Sequence, residues 1–476
     1  EFRRVLFRSE EFKRARHRLV FGELLVLQLG MLLIKNVNSS NKGIIFKECP
    51  EVDYFINNLP FKLTTAQMKV LKEIKEDMNS DKQMNRLVQG DVGSGKTVIA
   101  VIGMIIAWGS GYQSVMMAPT EILAVQHYET VSQMLKGLNI NCELLVGSLS
   151  SKDKEDILNR LANGDIDVLI GTHAIIQDRV RFYNLGLTIT DEQHRFGVKQ
   201  RAMLSQKGMN PDNIVMTATP IPRTLALILY GDLDISIIDE LPPGRKKIET
   251  YAVGSDMEGR VINFIKKQIK EGRQAYIVSP LIEESDSLNL TAAEELFEKF
   301  SNGVFKQYRL GLLHGRMNGE EKDTIMNKFK NGEIDILIST TVIEVGVNVP
   351  NANIMVIYNA ERFGLAQLHQ LRGRVGRGSY QSYCILLSDG KNSIARERMR
   401  IMQKTNDGFE ISEKDLELRG PGEFFGTRQH GLPDLKIANL FTDMELLKLV
   451  QIKSMKILKE DPLLADNKYL LLRNSI

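Results

Sequence analysis

Disulfide chemistry has almost no material in this chain. Its 476 residues hold three cysteines, Cys49, Cys142 and Cys384. They are too scattered for a Cys-based metal site or a disulfide framework, and their scarcity predicts a reducing compartment. A long apolar run is missing too: the longest, Val98 to Trp108, is too short to span a bilayer. No apolar leader precedes a cleavage-like site, so the expectation is a cytoplasmic protein with no membrane partner. An excess of one charge is also lacking: 62 Lys and Arg face 59 Asp and Glu, a net charge of +3. That balance neither requires nor excludes nucleic acid, and any basic surface must be local. What remains is an ordinary globular mixture, 43 % hydrophobic and 25 % charged, long enough for two or three domains.

Against that plain background one stretch stands out, Gly90-Asp91-Val92-Gly93-Ser94-Gly95-Lys96-Thr97. Its pattern is G-x-x-x-x-G-K-T, the phosphate-binding loop. A path this tight around a triphosphate requires glycine at Gly90, Gly93 and Gly95, because a side chain would clash or strain the backbone. Loop N–H groups and the following helix N-terminus face the phosphates. Lys96 is placed to reach the β- and γ-phosphates, and Thr97 to offer its hydroxyl to Mg²⁺. The flanks agree: Arg86 to Gln89 reads as a strand and Val98 to Trp108 as a buried helix.

Residues 1–18 carry seven Arg or Lys against three Glu. A solvated end is the favoured reading of this, with a DNA-binding basic arm as the alternative. Glu1 is not a natural start, so the chain reads as truncated, with residues 1–9 foreign to the rest of the chain. Leu19 to Leu33 predicts a helix packed on the ATPase body. A helix is predicted to begin near Thr64 or Thr65, either of which caps it. Gln67, one turn in, has an amide that can pair with both edges of adenine.

Strands are expected at Ser114–Ala118, Leu144–Ser148, Asp167–Ile170, Leu187–Thr190 and Ile214–Met216. Their ends carry Thr120, Thr172, Thr217 and Thr219, on the rim where open α/β sheets bind ligands. There, hydroxyls can grip successive phosphates of a nucleic-acid strand. Asp191 and Glu192 come directly after the fourth of these strands. Asp191 suits Mg²⁺, and Glu192 suits orienting and deprotonating the attacking water. Thr217-Ala218-Thr219-Pro220 reads as a rigid loop coupling nucleotide to a partner site, and Leu241 to Arg245 as a linker.

A second α/β unit comes next, with strands at Ala275–Val278 and Leu310–Leu313 and a helix over 292–300. Residues 163–172 (NGDIDVLIGT) and 331–340 (NGEIDILIST) match at seven of ten positions, which predicts a duplicated fold. The second unit has no phosphate loop. Instead QLHQLRGRVGRG supplies Arg372, Arg374 and Arg377. If helical, Arg374 and Arg377 share a face and can neutralise charge developing on a transferred phosphoryl group. Thr340 and Glu344 end a buried strand where both nucleotide and nucleic acid are in reach. Helices are expected at Arg396–Gln403 and over 441–460, with a shaped Gly-Pro-Gly loop between them. That last segment is either a lever to DNA or a brace for the second unit.

Taken together, FKLTTAQ, GDVGSGKT, APTEILA, GTHAIIQ, DEQHRFG, TATPIPRT, LHGRM, STTVIEVGV and QLHQLRGRVGRG resemble the superfamily 2 helicases, and within them the RecG family of bacteria. RGPGEFFGTRQHG resembles a translocation motif that this family shares with the transcription-repair coupling factor Mfd. Ser94 and Gln193 favour the RecG side.

The resemblance implies an α/β fold of two tandem RecA-like domains, with a helical N-terminal segment and a C-terminal helical hairpin. It divides the chain into 1–59, a wedge-domain remnant and helical linker, 60–245 and 246–395, the two motor domains, and 396–476, the translocation motif with C-terminal helices. It implies an ATP- and Mg²⁺-dependent helicase that remodels branched double-stranded DNA, forks and junctions, in recombination and repair. A single-stranded-DNA-binding protein is an implied partner, and the implied state is a monomer. By position, Gln67 reads adenine, while Lys96, Thr97, Asp191 and Glu192 run hydrolysis. Arg374 and Arg377 act as arginine fingers. Thr217 and Thr219 couple the sites, and Arg419, Arg428 and Gln429 belong to the translocation loop. Asn348 departs from the family's usual Asp, and most of the wedge domain is expected to be missing. The competing readings are an Mfd-like translocase and a non-catalytic, ATP-gated DNA clamp.

Overall fold

The computed structural model describes residues 2–39, 42–191, 203–218, 220–221, 226, 233–242, 246–280, 286–340, 349–378, 380–390, 392–419, 435–439 and 443–475. Its organising elements are two parallel sheets, whose strands are short apolar runs between polar turns. In the first, β1 (Asn85–Gly90), β2 (Gln113–Met117), β3 (Cys142–Leu145), β4 (Val168–Gly171), β5 (Leu185–Thr190), β6 (Asp212–Thr217) and β7 (Asp234–Ile238) stand in the order β3-β4-β2-β5-β6-β1-β7. Every described pairing is parallel. Such sheets are covered on both faces, which is why the central strands read as continuous apolar runs rather than alternating ones.

The helix Lys96–Gly109 is buried on nearly every side and packs with Val70, Ile74, Val88, Met116, Ile189 and Met216 in one core. Phe46, Val52 and Phe55 join the same core. The first unit therefore takes in residues on the N-terminal side of the expected boundary at 59/60.

The second sheet holds β8 (Glu249–Val253), β9 (Gln274–Val278), β10 (Leu310–Leu313), β11 (Ile336–Ser339), β12 (Ala352–Ile357) and β13 (Tyr383–Leu387), in the order β10-β11-β9-β12-β13-β8. Strand for strand this repeats β3-β4-β2-β5-β6-β1 of the first. The two matching decapeptides fall on β4 and β11, in equivalent places, and each includes a left-handed glycine before its strand, Gly164 (φ 86°) and Gly332 (φ 76°). The counterpart of β1 is β8. It leads into the short 3₁₀ turn Ser255–Met257, so the duplicated unit carries no phosphate loop.

Two expectations are corrected. The N-terminal helix, Phe2–Ser39, does not lie mainly on the ATPase body. Val20, Leu24, Leu25 and Leu29 are buried with Leu446, Leu447, Val450 and Leu458 of the helix Met444–Glu460. An apolar helical face is satisfied by any complementary face, so its rhythm did not specify the partner. Arg374 and Arg377 are not on a helix either, because Leu365–Arg372 ends before them and Gly376 takes φ 82°.

Candidate active site

Gly93 and Gly95 have φ of 77° and 85°, the left-handed conformations that glycine adopts without penalty. A Cβ at Gly90 would lie 2.5 Å from Ser94 Oγ. Lys96 Nζ lies along the loop, donating to the carbonyls of Gly90 (2.7 Å) and Asp91 (3.0 Å). Thr97 is the second residue of the buried helix.

Gln67 is 1 % exposed. Its Oε1 accepts from Thr64 N–H (2.8 Å), and its Nε2 donates to the carbonyl of Ser94 (2.8 Å). Thr64 caps the helix Thr65–Met78 and completes a capping box with Gln67. The amide thus ties that helix to the phosphate loop, and a contact with adenine would require these bonds to be exchanged.

Asp191 stands at the tip of β5, where its N–H donates to Met117 O (3.0 Å). Its carboxylate meets His127 Nε2 at 2.8 Å, a partner that sequence reasoning missed. His127 is a buried residue of the helix Glu121–Met134. Nothing in a single histidine on an otherwise mixed helix marks it as facing a residue 64 positions away. A carboxylate and a hydroxyl are hard oxygen donors of the kind Mg²⁺ takes, so Asp191 and Thr97 fit that ion chemically. Among the described residues no group of three or more His, Cys, Asp or Glu is arranged to hold a metal ion. Such a cluster is not needed where substrate phosphates and water complete the shell.

Thr120 caps the helix Glu121–Met134 through Leu123 N–H. Thr172 and Thr340, the last residues of the two matching decapeptides, are each 2 % exposed. Their hydroxyls have no hydrogen-bond partner among the described residues. Thr217 ends β6, 3 % exposed. Glu192, Thr219, Glu344, Asn348, Arg428 and Gln429 lie outside the described residues, and Arg419 is described only as the last residue of its helix, Gly408–Arg419.

The arginine segment of the second unit abuts the phosphate loop of the first. A Cβ on Gly373 would lie 3.1 Å from Val92 Cβ, and His369 Nε2 is 2.7 Å from Asp91 Oδ1. Burial opposes ionisation of Asp91, but the His369 bond, the Val92 N–H and nearby Lys96 outweigh it and hold its carboxyl below the ordinary range. Arg372 is 1 % exposed. It donates to the carbonyls of Met402 and Thr405, both at 2.9 Å. Burial lowers its pKa, yet a guanidinium stays charged. Arg374 is 5 % exposed. Both Arg374 and Arg377 act electrostatically on the buried phenol of Tyr276, whose pKa burial drives up. A cleft of about 440 Å³ opens beside this junction, lined by Asp91, Val92, Glu240, His369, Gly373 and Phe409 among others.

A phosphate loop on one RecA-like domain, faced by an arginine segment on its duplicate, defines the class of the two-domain helicase motors. Family models match in the same order: DEAD/DEAH box helicase over residues 64–228, helicase conserved C-terminal domain over 259–379, and ATP-dependent DNA helicase RecG, domain 3, C-terminal, over 405–475. The chain is 50 % identical over 469 residues to the ATP-dependent DNA helicase RecG of Bacillus subtilis, covering 98 % of this chain and 69 % of that protein. It is 53 % identical to the RecG of Thermotoga maritima, over 92 % of this chain and 56 % of the relative. A solved structure of RecG bound to a three-way DNA junction superposes with a TM-score of 0.78 at 48 % identity, over 92 % of this chain and 58 % of that one. The chain belongs to the RecG family, and it spans between about half and two thirds of the length of these relatives.

Proposed function

We propose that the chain is an ATP-driven motor that translocates on double-stranded DNA and remodels branched DNA; in support, a relative is named an ATP-dependent DNA helicase and a similar solved structure is of RecG bound to a three-way DNA junction. The observation that carries this reading is the close approach of the arginine segment to the phosphate loop, Gly373 on Val92. Lys96 holds the β- and γ-phosphates. Thr97 and Asp191 hold Mg²⁺, which when bound neutralises phosphate charge. Glu192 orients and deprotonates the attacking water, and Arg374 and Arg377 stabilise charge on the transferred group. Gln67 sets the edge of the nucleotide site. Thr120, Thr172, Thr217, Thr219, Thr340 and Glu344 meet the DNA backbone or pass its state to the nucleotide. Arg419, Arg428 and Gln429 act at the translocation segment.

ATP closes the cleft and hydrolysis reopens it, so two units holding one duplex advance along it by turns. The test is ATP hydrolysis with forked DNA, linear duplex or no DNA. Forked DNA is expected to raise kcat most, with Glu192→Gln abolishing turnover while nucleotide still binds. Binding of DNA should weaken steeply with salt, because phosphate contacts release counterions. A chain that binds ATP but shows no DNA-stimulated turnover is a clamp, and the motor reading then fails.

A further inference from the structure

On the reading of the chain as a motor, we infer that the Asp91–His369 pair is the positioning contact through which the phosphate loop sets both the arginine segment and the helix leading to the translocation segment. The pair joins the two units across 278 residues at 2.7 Å, with side chains 16 % and 7 % exposed.

Each member is fixed from its far side. Asp91 presents its carboxylate to His369 and its own carbonyl to Lys96 Nζ (3.0 Å). A phosphate that draws Lys96 to itself therefore changes the surroundings of the same residue that holds His369. On the other side of the ring, His369 Nδ1 lies 2.9 Å from Arg372 Nη2. A guanidinium only donates, so Nδ1 accepts and Nε2–H donates to Asp91. Arg372 in turn donates to the carbonyls of Met402 and Thr405, where the helix Ser393–Lys404 gives way to the helix Gly408–Arg419.

A second observation converges on the same point. Gly408, the first residue of the latter helix, roofs the pair. A Cβ there would lie 2.6 Å from His369 Nε2, 2.6 Å from Pro220 Cγ and 3.1 Å from Asp91 Cγ. Pro220 closes the Thr217–Pro220 loop. The phosphate loop, Pro220, the arginine segment and the helix Gly408–Arg419 thus meet at one part-buried hydrogen bond. His369 touches no substrate; it acts through Asp91 and Arg372, as a positioning residue.

The experiment is steady-state ATP hydrolysis by the 476-residue chain, with saturating forked DNA and without DNA. The variants are His369→Leu, His369→Gln, Asp91→Asn and the double variant Asp91→Asn/His369→Leu, with rates taken per folded molecule. The expected result is a fall of about tenfold in DNA-stimulated kcat for His369→Leu, with KM for ATP changed less than about twofold. His369→Gln, whose amide can still donate to Asp91, should recover most of the rate. The double variant should be no worse than His369→Leu, because one contact is lost only once. Gly408→Ala, which leaves both side chains in place but wedges them apart, should reproduce the loss, and it carries the test if His369→Leu does not fold. The inference is overturned if these variants keep wild-type stimulation, if the effects of the two single changes multiply, or if only melting temperature changes. A wild-type chain that forked DNA does not stimulate overturns the motor reading and this inference together, whereas stimulated wild type with unaffected variants overturns the inference alone.

Discussion

Arg372, Arg374 and Arg377 share one short segment but not one environment. Arg372 is spent on main-chain carbonyls and His369, so its removal strands buried acceptors. Arg374 lies just past the helix end, beside the loop that Gly373 touches. Replacing Arg374 with Ala should lower kcat by about a thousandfold while leaving KM for ATP within a few fold, as expected for a cation felt mainly in the transition state. Single-turnover hydrolysis alongside nucleotide binding checks it.

A second residue-scale prediction concerns Asp212, which has no place in the chemistry. It is fully buried at the start of β6. One oxygen accepts from Met84 N–H at 2.8 Å, and Oδ2 has no partner among the described residues. Burial pushes its pKa from 3.8 up to about 8. The folded state therefore binds the extra proton between those values, and stability falls as pH rises through that window. Asp212→Asn should melt a few degrees above wild type at pH 8, with the gain gone below pH 3.8, as read by thermal unfolding across pH.

Elements were the scale at which the chain was most legible, for physical reasons. β1, the loop and the helix Lys96–Gly109 announced themselves because glycine at that spacing, ahead of a helix apolar on every side, rarely arises outside a phosphate loop. The duplicated sheet was visible because NGDIDVLIGT and NGEIDILIST demand the same turn and buried strand. The helix start near Thr64 was readable but not which of Thr64 and Thr65 caps it; the structure assigns Thr64, whose hydroxyl forms a capping box with Gln67. Thr64→Ala should therefore cost about 1 kcal/mol in chemical denaturation, with ATP affinity little changed because the bond from Gln67 to Ser94 survives. What stayed hidden were contacts between distant elements, such as His127 with Asp191 or His369 with Asp91. Each histidine sits on a helix whose local pattern is complete without it, and only the folded topology brings its partner near. Local pattern likewise could not show that the arginine helix stops at Arg372.

At the scale of the molecule, the two ends of the chain make one body. Arg16 grips Asp443 with both terminal nitrogens, at 2.7 and 2.9 Å, and Glu23 accepts from the N–H groups of Lys436, Ile437 and Ala438. Burial works against ionisation of Asp443, but Arg16 and the Asn439 N–H hold its carboxyl below the ordinary range. Its contribution is thus present at neutral pH and lost as pH falls through the lowered value. Arg16→Ala should lower the melting temperature at pH 7 and make no difference at strongly acidic pH.

The helix Gly408–Arg419 joins that terminal body to the rest. Gly408 rests on the phosphate-loop contact, Ile411 is buried in the core of the second sheet, and Leu416 in that of the terminal helices. Asp415 accepts from Leu365 N–H at the start of the arginine helix. Its 12 residues make a rod about 18 Å long. Held along its length at Gly408, Ile411, Asp415 and Leu416, it is a stiff tie rod, so the seat of the terminal helices and the contact beside the phosphate loop are set together by one element.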